Sequence, residues 1–125
     1  MDSYDPLLAP DAEAWLALDE SARISAVEAY HEAERFKMPN LRIHATFHVV
    51  VETQIAMGDE LPVREKVRQL MAQGLDRHDA LHAVISVLVT NIFGPMKGKP
   101  ASPDPNRAYF SALRRLTAQK WRRAR

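Results

Sequence analysis

Hydrophobic positions in this chain recur every three or four residues rather than every second one, the period of helices and not of half-buried strands. Asp11 is placed to cap a short helix carrying Trp15, Leu16 and Leu18. Asp19 caps a longer one, about residues 20–36, with Ile24, Val27, Tyr30 and His31 along one side. The segment Met38-Pro39-Asn40 breaks it, because proline donates no backbone hydrogen bond and pushes its predecessor out of the helical region. From Leu41 to about Met57 the chain reads LRIHATFHVVVETQIAM. Its β-branched run Val49-Val50-Val51 suits a strand, but the length and the stripe at 44, 48, 51 and 55 predict a helix that Gly58-Asp59 ends.

Pro62 opens the next predicted helix, about 62–73, which turns Val63, Val67, Leu70 and Met71 inward and places Gly74 just beyond its last turn. Asp76 caps another, about 77–93, with the stripe His78, Leu81/His82, Ile85 and Val89. Gly94-Pro95 ends it, and residues 94–106 read as a Pro/Gly-rich loop. A final amphipathic helix, about 106–123, sets Tyr109, Leu113, Leu116 and Trp121 against five arginines and one lysine, with Arg125 just beyond it. No repeat or hairpin signal interrupts this pattern. The expectation is an all-α fold, a single compact bundle of about five or six helices over residues 1–125.

Four of the five histidines form two i,i+4 pairs, His44 with His48 and His78 with His82. One turn of helix separates the members of a pair, so both imidazoles lie on one face. This is how a helix offers two nitrogens to one metal ion. If the two helices run antiparallel, all four imidazoles meet on one seam. Glu52 lies one more turn past His48, suited to a further ion or to orienting an imidazole from behind. His31 ends the short spacing Glu28-Ala29-Tyr30-His31, an E-x-x-H arrangement also seen in di-iron carboxylate bundles.

Composition narrows the chemistry. There is no cysteine, which excludes disulfides, thiolate metal sites and thiol nucleophiles. An all-nitrogen site favours zinc or iron over calcium or magnesium. The four glycines form no phosphate-binding loop, so no nucleotide cofactor is expected, and no G-x-S-x-G marks a hydrolase. No apolar run approaches the roughly 18 residues of a membrane span. The opening MDSYDPLLAP lacks the basic and apolar regions of a signal peptide, so a cytoplasmic protein is expected.

Formal net charge is only +1. Residues 1–60 hold twelve acidic and four basic side chains, while residues 61–125 hold four acidic and thirteen basic. Such halves complement each other, within one chain or across a homodimer. The rival is a basic C-terminal arm for nucleic acid, built from Arg107, Arg114, Arg115, Lys120, Arg122, Arg123 and Arg125. The apolar stripe of that helix argues for docking, with the acidic N-terminal helices as its electrostatic complement.

Two readings of the histidines stay open. They bind a transition metal, or they form a metal-free buried polar network in a protein-interaction module, each ring satisfied by hydrogen bonds. No reaction follows from either.

The segments HATFHVVVETQ at 44–54 and GLDRHDALHAV at 74–84 resemble the twin signatures H-x-x-x-H-x-x-x-E-x-Q and G-L-x-R-H-x-A-x-H of a family of small bacterial proteins of unknown function. WLALDE at 15–20 and Ala29-Tyr30-His31 fit one branch of it. The resemblance spans about residues 5–92. It implies a helical fold and marks His31, His44, His48, Glu52, His78 and His82 as the family's polar positions.

Overall fold

A computed structural model describes residues 3–33, 41–93 and 104–124 of the chain. Every regular element among them is helical, and no strand occurs. The residues fall into two compact units, 1–61 and 62–125.

The first unit holds α1 (Ala12–Ala17), α2 (Glu20–Ala33) and α3 (Leu41–Ala56). The two expected caps are present: Asp11 accepts from the Ala14 N–H at 2.9 Å and Asp19 from the Ala22 N–H at 2.7 Å. Each satisfies one of the amide donors that a helix start leaves over. Arg23 on α2 closes the other end of α1, donating to the carbonyls of Trp15 and Leu16, both at 2.9 Å. The core joins Tyr4, Trp15, Ile24, Val27, Ala45 and Val49, with Tyr30 packed at its edge. Leu16 is exposed on the far side of a helix too short to bury two faces. Val49-Val50-Val51 lies inside α3, so period prevails over β-propensity. The proposed break at Met38-Pro39-Asn40 and residues 34–36 of the expected helix lie outside the described residues.

The second unit holds α4 (Val63–Ala72), α5 (Arg77–Leu88), α6 (Pro105–Arg115) and α7 (Ala118–Ala124). A π-helical turn, Val89–Phe93, extends α5. There Thr90 Oγ1 and Asn91 Nδ2 donate back to the carbonyls of Ser86 and Val87, which the wider turn leaves available. Gly94-Pro95 and the loop up to residue 103 lie outside the described residues.

The C-terminal segment is two helices rather than one. Leu116 turns extended between them (φ −68°, ψ 134°). Asp104 caps α6 by accepting from the Arg107 N–H at 3.1 Å, with Pro105 in the first turn where its missing donor costs nothing. α6 packs on α4, α5 and the π-turn, and α7 on α5. The apolar stripe of the basic tail is thus satisfied by its own unit, where charge complementarity pointed to the acidic N-terminal helices. Tyr109 and Leu113 are fully buried there. Met71, expected inside, is exposed, and Lys66 occupies the inward face in its stead.

Candidate metal centre

Three of the five histidines come together inside the first unit. His44 and His48 lie one and two turns into α3, and His31 lies in the last turn of α2, which packs against α3. The ring centroids of His31 and His44 are 4.8 Å apart, those of His31 and His48 5.1 Å, and those of His44 and His48 4.6 Å. The ligand nitrogens of His31 and His48 lie within 4.8 Å of each other, and so do those of His44 and His48. Among the described residues, groups of three histidines that include His48 have ligand nitrogens close enough to hold a metal ion. A tetrahedral ion with bonds of ~2.1 Å asks for nitrogens about 3.4 Å apart, a contraction that side-chain torsions can supply.

Burial makes this cluster unusual. His31 and His48 are fully buried, and Glu52 is 1 % exposed. Imidazoles and carboxyl groups leave water only when hydrogen bonds or ligation repay the lost hydration. For His31, Nδ1 lies 2.8 Å from the carbonyl oxygen of Val27, one turn back on α2. A carbonyl only accepts, so Nδ1 carries the proton, and in the neutral ring the lone pair belongs to Nε2.

A second arrangement acts on His48. Tyr4, from the N-terminal segment, donates its phenolic proton to Glu52 Oε2 at 2.6 Å. That is the length of a hydroxyl-to-carboxylate bond. The same phenolic oxygen lies 3.5 Å from His48 Nδ1, and with its proton committed to Glu52 it can only accept there. His48 is thereby steered to the same tautomer as His31, with the lone pair on Nε2. An imidazole whose Nδ1–H is held by a carbonyl or by a carboxylate-anchored hydroxyl oxygen is the arrangement that fixes ring orientation in metal sites. Glu52 therefore lies behind His48, linked to it through the Tyr4 hydroxyl, in keeping with the orienting role and not as a ligand to a further ion.

His78 and His82 sit on α5 in the second unit, with ring centroids 4.3 Å apart and planes inclined at 57°. Both are half-buried. Asp76 caps this helix by accepting from the Asp79 N–H at 2.7 Å, which places His78 in the first turn as the sequence implies.

Tyr4 escapes the sequence analysis. A lone aromatic in an irregular N-terminal segment carries no periodicity. Its partner Glu52 is 48 residues away, so only the tertiary fold joins them. The one available signal is local: a tyrosine two residues before Pro6, in a stretch too short to form a helix of its own. Beyond these residues, no helix among those described is long and apolar enough to cross a membrane. No protein-family model, curated protein or solved structure matches the chain.

Proposed function

We propose that this protein binds a transition metal, zinc or iron, through imidazole nitrogens of His31, His44 and His48, with His78 and His82 of the second motif as a further pair of candidate ligands. The observation that carries this reading is the mutual packing of the His31, His44 and His48 rings, with His31 held by a backbone carbonyl so that Nε2 is its lone-pair atom. Tyr4 and Glu52 serve as outer partners that orient His48, and the two H-x-x-x-H pairs put forward the same positions. All-nitrogen donors suit both zinc and iron.

Elemental analysis of tag-free protein, purified without chelator, tests the proposal. The expected result is close to one equivalent of a transition metal, lost on dialysis against a chelator with a fall in melting temperature. E52Q should weaken metal binding about 10–100-fold while leaving the stoichiometry intact, the usual cost of losing an outer partner. Protein that purifies with less than about a tenth of an equivalent and gains no stability on adding zinc or ferrous iron would overturn the metal reading. In that case the Tyr4–Glu52 bond and the His31–Val27 bond favour the second reading, a metal-free polar network in an interaction module.

A further inference from the structure

We propose that Tyr4 is a redox-active tyrosine, a one-electron relay beside the histidine cluster with Glu52 as its proton acceptor. The geometry is that of a phenol prepared for oxidation. Tyr4 is 4 % exposed, and its O–H is held 2.6 Å from a carboxyl oxygen that is itself buried. A phenol that gives up an electron becomes a strong acid, and a site without water supplies no base. Oxidation then requires a proton acceptor already in hydrogen-bond contact. Glu52 is that acceptor.

The step balances as follows. One electron passes from the Tyr4 ring to the oxidant and the phenolic O–H bond breaks. The proton moves to the Glu52 carboxylate, leaving a neutral phenoxyl radical beside a neutral carboxyl. Reduction returns the electron to Tyr4 and the proton to its oxygen.

The surroundings say why the radical would rest on Tyr4. Two oxidisable rings flank it, Trp15 with centroids 5.9 Å apart and Tyr30 at 6.1 Å. Trp15 donates its indole N–H to the Thr53 hydroxyl at 3.1 Å, and an alcohol cannot take that proton away. Half-buried Tyr30 continues the aromatic row to His31, with centroids 5.3 Å apart. Tyr4 itself pairs with a carboxyl base, and the row connects it to a proposed ligand. In the working protein the oxidant would be iron in an oxidised state held by the histidines, since zinc has no redox couple to accept the electron. That part rests on the metal reading; the oxidation of Tyr4 does not.

The experiment separates the two by using the full-length, metal-free protein with a photogenerated ruthenium(III) tris(bipyridine) oxidant. Phenoxyl is followed by transient absorption and electron paramagnetic resonance. The chain has three tyrosines, so the Y30F/Y109F double variant keeps Tyr4 alone. We expect a long-lived phenoxyl signal in the wild type and in this double variant, and its loss in Y4F. E52Q, which keeps an acceptor atom but no base, should form the radical more slowly and lose the dependence on heavy water. A double variant without phenoxyl, a radical residing on Trp15, a signal that persists in Y4F, or an E52Q rate equal to wild type would overturn the proposal. Circular dichroism of each variant confirms that the helices are intact, and the double variant gives the assignment without altering Tyr4.

Discussion

A phenol sealed from water holds its proton more firmly, and Tyr109 is sealed: burial pushes its ionisation above the ordinary tyrosine range. The unfolded chain sheds that proton near pH ~10 while the folded chain keeps it, so the associated stability is present in full below about pH 10 and lost above it. Urea unfolding of wild type and Y109F at two alkaline pH values should show this. The wild type loses more stability between pH ~9.5 and ~11 than the variant does. Equal losses would place Tyr109 in contact with water. Lys66 runs in the opposite direction. Burial, and then the nearby Lys120 ammonium, lower its ionisation below the usual lysine value. The folded state then holds fewer protons than the unfolded one up to pH ~10.5, so stability rises with pH through that window. The deprotonated amine still has two N–H groups for its two acceptors, the carbonyls of Leu116 at 2.8 Å and Arg114 at 3.3 Å. K66M should remove the pH-dependent gain and lower stability at every pH, because two carbonyls at the end of α6 lose their donor.

At the scale of elements, the end of α4 shows a turn chemistry written in the sequence. Gly74 has φ of +104°, with its N–H on the Met71 carbonyl at 3.0 Å and the Leu75 N–H on the Leu70 carbonyl at 3.1 Å. Those two bonds make a Schellman ending, with buried Leu70 and Leu75 at the positions that usually touch. A Cβ here is strained by the backbone and would sit 3.3 Å from the Arg122 guanidinium. G74A should therefore cost about 1–2 kcal/mol in urea unfolding. Asp76 begins α5 two residues later, and D76A should cost about 0.5–2 kcal/mol by orphaning the Asp79 amide. Both features are legible in sequence because each is closed within six residues. The break between α6 and α7 is not. Leu116 is no helix breaker; its carbonyl is drawn to Lys66, 50 residues earlier, and the Ala118 N–H to Gln73 Oε1 at 2.8 Å.

Across the whole molecule, charge and packing act through different links. The two compact units divide the formal charge almost where the sequence does, acidic before residue 62 and basic after it. Charge alone suggests a free basic arm, yet Tyr109 and Leu113 are fully buried and α6 packs on α4 and α5. Removing residues 104–125 should then lower the melting temperature and raise binding of a hydrophobic dye, as Lys66 and the inner faces of α4 and α5 lose their cover. The opposite result would be an unchanged melting temperature with loss of an affinity for DNA or RNA that fades steeply between roughly 50 and 200 mM salt. That outcome would mark the tail as a nucleic-acid arm.

The sequence by itself determined what the backbone settles over one or two turns. Helical periodicity, the caps at Asp11, Asp19 and Asp76, the glycine stop at Gly74 and the two histidine pairs all rest on contacts between residues at most six positions apart. The tertiary structure alone decided what depends on distant chain segments meeting. It brings His31 to the pair on α3, seats Tyr4 on Glu52, and folds the tail back so that Lys66 meets the α6–α7 junction. Periodicity says which face of a helix is inward but not which neighbour it meets. A hydrogen bond across some fifty residues leaves no periodic trace at either end, and so the tautomer of His48, set through Tyr4, became visible only in the fold, whereas that of His31 is set by a carbonyl one turn back.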